Sequence, residues 1–131
     1  MNKTKKIIAV LVVCVCLALQ LVAISGAAES GTFNVSLPNW QTKVLLFKGT
    51  KTDDVKKAYV TLTGGTANYV YVQMTSQKTG NEFTDWAQIP NDGVRYSISY
   101  KLQPNKNKAV VLATGYQKNV LSKTAAGKIV L

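Results

Sequence analysis

The chain of 131 residues has no histidine, and its two cysteines, Cys14 and Cys16, both lie in the stretch VVCVCLALQ near its start. Ser-His-Asp and Cys-His nucleophile systems and the common zinc sites therefore cannot be assembled from the rest of the chain, and neither a metal nor a cofactor is expected. Two positions apart on a helix, Cys14 and Cys16 point in different directions, which suits neither a disulfide nor a shared metal. A lipid-bearing cysteine would follow a small residue at the end of the apolar run, whereas Val13 and Val15 precede these two in its middle. Acidic residues are also scarce, six Asp plus Glu against sixteen Lys plus Arg. Long helical stripes are missing after residue 28, and so are internal repeats, low-complexity tracts and linkers.

What is present first is an ordered beginning. Lys3, Lys5 and Lys6 precede an apolar run from Ile7 to Ile24 broken only by Gln20, and the side chains then shrink into SGAAES. Basic, apolar and small segments in that order form the secretory signal layout. Cleavage fits after Ala27 or after Ala28; taking the second, residues 1–28 are expected to form a signal helix and residues 29–131 a single exported domain. The apolar run is also near the length of a spanning helix, so an uncleaved anchor is the rival reading. Absence of a basic stop-transfer cluster favours release, and the protein is expected to be secreted or held at the extracellular face of the cell envelope.

Without a thiol, residues 29–131 must be stabilised by burial, and a chain of that size can bury a sufficient core. They carry Trp40, Trp86, three phenylalanines and six tyrosines, too much aromatic content for a disordered tail. Thirteen basic residues face six acidic ones there, a net charge of +7. An exported cationic domain meets anionic cell-wall polymers, a membrane surface or carbohydrate rather than nucleic acid. The lysines are dispersed, with doublets such as Lys56–Lys57, so part of this charge simply keeps the surface soluble.

The hydrophobic period is two. TFNVSLP sets Phe33, Val35 and Leu37 against Asn34 and Ser36 and stops at Pro38; KAYVTLTGG sets Val60 and Leu62 against Tyr59, Thr61 and Thr63. ANYVYVQMTS puts Val70, Val72 and Met74 on one side and Tyr69, Tyr71 and Gln73 on the other, and VRYSISYKL alternates in the same way. KVLLFKG and KAVVLATG are apolar on both faces, as in central sandwich strands. EFTDWAQI reads as a strand containing Trp86, and GKIVL as a short last one. TKTDDVKK offers caps for a single helical turn, and QKNVLSKTA reads as a crossing loop or an irregular strand. About seven or eight strands with Gly, Asn, Asp and Pro turns predict an all-β antiparallel sandwich, immunoglobulin-like in size.

Three constellations invite a functional reading. Carboxylate catalysis needs two acids facing each other; Asp53, Asp54 and Asp92 sit in turns, and Glu82 and Asp85, three apart on a strand, point to opposite faces, so an enzyme is not expected. NDGVRYSI resembles the Asp-x-Gly/Ala-x-Tyr-x-Cys run of immunoglobulin domains, with Ile98 where the cysteine would stand. That resemblance implies a bond from the Tyr96 phenol to the turn backbone, against the plainer reading of a hairpin loop. Tyr69 and Tyr71 share a face, Tyr59 and Tyr116 fall on neighbouring strands, and Lys57 and Arg95 fringe them. Tyrosines rimmed by cations suit sugars, peptides or membrane interfaces, although such pairs also stabilise sheets unaided. Trp40 and Trp86 read as core or edge plugs.

A signal segment followed by TFNVSLP, AYVTLT, YSISY and LATGYQ…AAGKIVL resembles small secreted β-sandwich proteins of Gram-positive bacteria, some of them bacteriocin-like in size and export. The resemblance implies no site residues. The expected function is a non-enzymatic binding module for an anionic or carbohydrate surface. The alternatives are a bacteriocin-type antimicrobial effector and, last, a carboxylate hydrolase.

Overall fold

The computed structural model describes residues 29–131; the expected signal helix, Cys14 and Cys16 lie outside them. The period-two segments form eight strands: β1 (Ser30–Leu37), β2 (Val44–Thr50), β3 (Lys57–Gly64), β4 (Tyr69–Ser76), β5 (Ala87–Pro90), β6 (Arg95–Ser99), β7 (Val110–Tyr116) and β8 (Lys123–Val130). They build two four-stranded antiparallel sheets, ordered β1-β8-β3-β6 and β2-β7-β4-β5. The alternating apolar sets turn inward: Phe33 and Leu37, Val60 and Leu62, and Ile98 and Ile129 from the first sheet meet Leu46, Val70, Val72, Met74, Ile89 and Val111 from the second. Each such side chain contributes about 1.5–3 kcal/mol on burial. Both sheets and the core between them come from residues 30–131.

Strand pairs β1/β8, β2/β7, β3/β6 and β4/β5 alternate between the sheets. The chain is thus one long antiparallel ribbon rolled over on itself, which is the jelly-roll connection rather than the immunoglobulin one, although the size is similar. The roll brings together the two loops at each crossing between sheets. Loops 38–43 and 117–122 are neighbours, as are 64–68 and 90–94 at the same end, and 51–56 and 100–109 at the other.

One buried or half-buried polar side chain ties each crossing. Gln117, fully buried, donates through Nε2 to the Pro38 and Leu121 carbonyls at 3.0 and 2.9 Å and accepts from Asn119 N–H at 2.7 Å. Asn91 Nδ2 donates to the Ala67 carbonyl at 2.9 Å. Lys51, also fully buried, places its ammonium 2.6 Å from Asp53 Oδ1 and 5.0 Å from the centre of the Tyr100 ring. Burial, with Asp53 nearby, pushes the Tyr100 phenol well above its ordinary range.

Four local expectations change. The doubly apolar KVLLFKG is not a central strand: β2 is an edge, and an extra residue at Leu46 turns Leu46 and Phe47 inward while Leu45 stays exposed. TKTDDVKK forms no helical turn, because Asp53 Oδ1 is taken by Lys51 and by Val55 N–H. The last strand begins at Lys123 and is longer than GKIVL, its small residues lying opposite β1. There Gly127 is required, since a Cβ would collide with the Thr61 backbone carbonyl of β3 and come within 2.9 Å of the Phe33 ring. EFTDWAQI is a strand only from Ala87 onward.

Candidate functional site

The break in EFTDWAQI shapes the outer face of the second sheet. Between the Val72–Ala87 pair and the Thr75–Glu82 bridge, two residues of β4 oppose four, Phe83 to Trp86. Phe83 dips into the core, and Thr84 is buried, its Oγ1 accepting the Met74 N–H at 3.0 Å in place of a ladder bond. Gln73 points outward by alternation yet is buried, and its Nε2 donates to the Thr84 carbonyl at 3.1 Å. Trp86 consequently lies on the sheet's outside rather than in the core. The expectation of a plug fails for Trp40 as well, which is 58% exposed.

On that face four rings touch in sequence. Tyr69 and Tyr71, two apart on β4, meet edge-on at 5.5 Å. Tyr71 is directly opposite Tyr116 of β7 and stacks on it at 5.0 Å with an interplanar angle of 14°. Trp86 meets Tyr116 edge-on at 4.8 Å. Two ammoniums complete the array: Lys43 sits 5.2 Å from the Trp86 ring centre and Lys118 sits 4.7 Å from that of Tyr71. Such contacts hold flexible lysine tails in place while their charge stays at the surface.

Of the residues expected to form a surface site, Tyr69, Tyr71 and Tyr116 come together here. Tyr59, Lys57 and Arg95 do not, because β3 and β6 belong to the other sheet and their outward side chains face the opposite way. There the Arg95 guanidinium packs 3.8 Å from the centre of the Tyr59 ring, with exposed Lys57 two residues along β3. Trp86, Lys43 and Lys118 were missed. Lys118 was within reach of sequence reasoning, since it follows Tyr116 by two; Trp86 was not, because its placement depends on the four-residue excursion.

The acidic residues are arranged differently from expectation. Glu82 and Asp85 do not point to opposite faces: both reach Lys101 Nζ, at 3.1 and 2.7 Å, because the segment between them is not a strand. Hydrogen bonds from Lys101 and then Gln73 hold the Glu82 carboxyl below its ordinary range, the reverse of what a general acid needs. In the NDGV loop the Tyr96 phenol donates to the Asp92 carboxylate rather than to backbone, and Asp92 also accepts the Val94 N–H at 3.0 Å. Asp92 is thereby held low and Tyr96 raised, in each case chiefly by their shared hydrogen bond. Among the described residues no group of three potential metal ligands converges. An open cleft of about 760 Å³ lies at the far end, lined by Ser76, Phe83, Leu102, Asn105, Lys108 and Val110, away from the ring array.

Neither a protein-family model nor a curated protein matches the chain. Among solved structures it is similar to IMPa from Pseudomonas aeruginosa, determined in complex with an O-glycopeptide, at 16% identity and a TM-score of 0.37, over 79% of this chain. The chain spans 12% of that protein's length.

Proposed function

We propose that the protein is a secreted or envelope-held, non-enzymatic binding module that grips an anionic carbohydrate polymer on the outer face of the β2-β7-β4-β5 sheet. The observation that carries this reading is the unbroken run of Tyr69, Tyr71, Tyr116 and Trp86 with two ammoniums fixed against it. Ring surfaces and edges pack against the apolar C–H faces of sugars, while phenols and ammoniums donate to hydroxyl and acidic groups. A shallow face four strands wide suits a repeating chain, whose successive units add weak contacts, better than an enclosed small molecule.

The test is retention of residues 29–131 on purified Gram-positive walls before and after their acidic polymers are stripped, at low and high salt. Intact walls should retain the protein, less so at high salt. Tyr71→Ala should lower retention about five- to tenfold, whereas Tyr59→Ala on the opposite face should change nothing. Retention that survives stripping, ignores salt, or is indifferent to Tyr71→Ala together with Lys118→Gln would refute this reading.

A further inference from the structure

Among the described residues seven large apolar side chains are exposed; Leu45 and Val94 lie on separate elements, and Val55 and Leu102, 45% and 48% exposed, lie on the neighbouring loops of the other end, where the Val55 N–H bonds the Asp53 carboxylate. Trp40, Val120 and Leu121, exposed by 58%, 58% and 71%, are the most exposed of the seven and occupy two neighbouring loops joined by the Trp40 N–H to Asn119 carbonyl bond of 2.9 Å. Isolated exposed hydrophobes are ordinary; a cluster at a loop tip is not. The tip is also held rigid. Gln117 binds carbonyls of both loops, and Thr42 N–H and Oγ1 bond the Trp40 and Asn39 carbonyls. Trp40 has a positive φ of 50°, a conformation costly for an aromatic residue and favourable for glycine. The hydrogen bonds of the two loops hold a bulky ring in a glycine conformation and point it into solvent, and strain of this kind concentrates at contact sites.

The charge around the tip identifies that partner. Among the described residues, the loops at this end hold one carboxylate, Asp92, which Tyr96 and Val94 already engage. Lys43 and Lys118 belong to the same two loops as Trp40 and Val120 and are anchored just behind the tip by Trp86 and Tyr71. Apolar points backed by fixed cations match a bilayer, in which anionic headgroups overlie an apolar interior and indole rings favour the boundary between them.

We propose that Trp40, Val120 and Leu121 insert into the interfacial layer of an anionic lipid bilayer, with Lys43 and Lys118 meeting the headgroups. This goes beyond the polymer reading and rests on different apolar residues. It is tested by sedimenting residues 29–131 with vesicles of equal parts phosphatidylglycerol and phosphatidylcholine, and with vesicles of phosphatidylcholine alone. Binding should require the anionic lipid. Trp40→Gly should weaken it about tenfold or more, and Lys43→Gln or Lys118→Gln about fivefold each. Trp40→Gly should melt at or above the parent temperature, since glycine adopts this backbone freely; Leu121→Ser, at a site 71% exposed, gives a second variant that leaves the core untouched. In a Trp86→Phe background the Trp40 emission should shift to the blue on adding anionic vesicles. Tyr69→Ala should lower wall retention without changing vesicle binding, and Trp40→Gly should do the reverse, so failure of one proposal is distinguishable from failure of the other. Absence of sedimentation with anionic vesicles, equal sedimentation with neutral ones, or undiminished binding by Trp40→Gly with Leu121→Ser would overturn the insertion.

Discussion

The two ends of the sandwich meet the same problem, a chain that must leave one sheet and enter the other without stranding backbone polar groups, and they meet it with opposite chemistry. At the end carrying Trp40, the crossing is tied by Gln117, a neutral amide that serves two carbonyls and one N–H from within. At the other end it is tied by Lys51, a buried ammonium answered by Asp53 and laid over Tyr100. The surfaces differ accordingly. The amide end leaves its loops nearly free of acid around its exposed Trp40, Val120 and Leu121, whereas the ammonium end sets its less exposed Val55 and Leu102 among Asp53, Asp54, Glu82 and Asp85. A neutral clamp lets one end be shaped for contact with a partner, while a charged clamp makes the other answer to its own ion pairs.

Gln117→Leu should break this comparison most strongly. It orphans the Pro38 and Leu121 carbonyls and the Asn119 N–H together, so unfolding in urea should show a loss of about 3 kcal/mol, and vesicle binding should fall as the tip loosens. Lys51→Met should cost less, about 1–2 kcal/mol, because the methionine fills the space and Asp53, its side chain 14% exposed, can turn to water. Adding Asp53→Asn should recover most of that loss, which a purely volumetric role for Lys51 would not allow. The smallest effect is in acid. Glu82 at one end and Asp92 at the other are both held below their ordinary values, so each binds fewer protons folded than unfolded. Their contribution is present above about pH 5 and disappears as pH falls through the folded values. Thermal melts between about pH 6 and 3 should show a shallow decline, and Lys101→Met should remove most of the Glu82 part, leaving the share that Gln73 supplies and the whole Asp92 part.

Period-two alternation made β1, β3, β4 and β6 readable as strands, because their inward residues are large and their outward ones polar. It misled where local chemistry overrides alternation. Leu46 adds a residue to β2, so an apolar run that looks buried on both sides is an edge with a kink. Thr84 and Gln73 absorb an excursion through buried polar bonds that no pattern announces, and Trp86 reaches the tyrosine face only through it. Tyr69, Tyr71 and Tyr116 could be grouped from sequence because tyrosines facing outward on strands are conspicuous. Assigning Tyr59, Lys57 and Arg95 to the same group required the order of strands in each sheet, and that depends on how the ribbon rolls. Trp40 was hidden for another reason: nothing in PNWQTK announces that its tryptophan takes a left-handed backbone.

Leu46 also bears on how the protein tolerates crowding by its own kind. Along the free side of β2, donors and acceptors keep step over Val44–Leu45 and again over Phe47–Thr50, but not across the inserted residue. The Thr50 N–H is already occupied by Glu29 Oε2 at 2.6 Å. A strand arriving from another molecule therefore meets two short, mismatched stretches and gains too few bonds to dock, so this margin resists templated aggregation at high concentration.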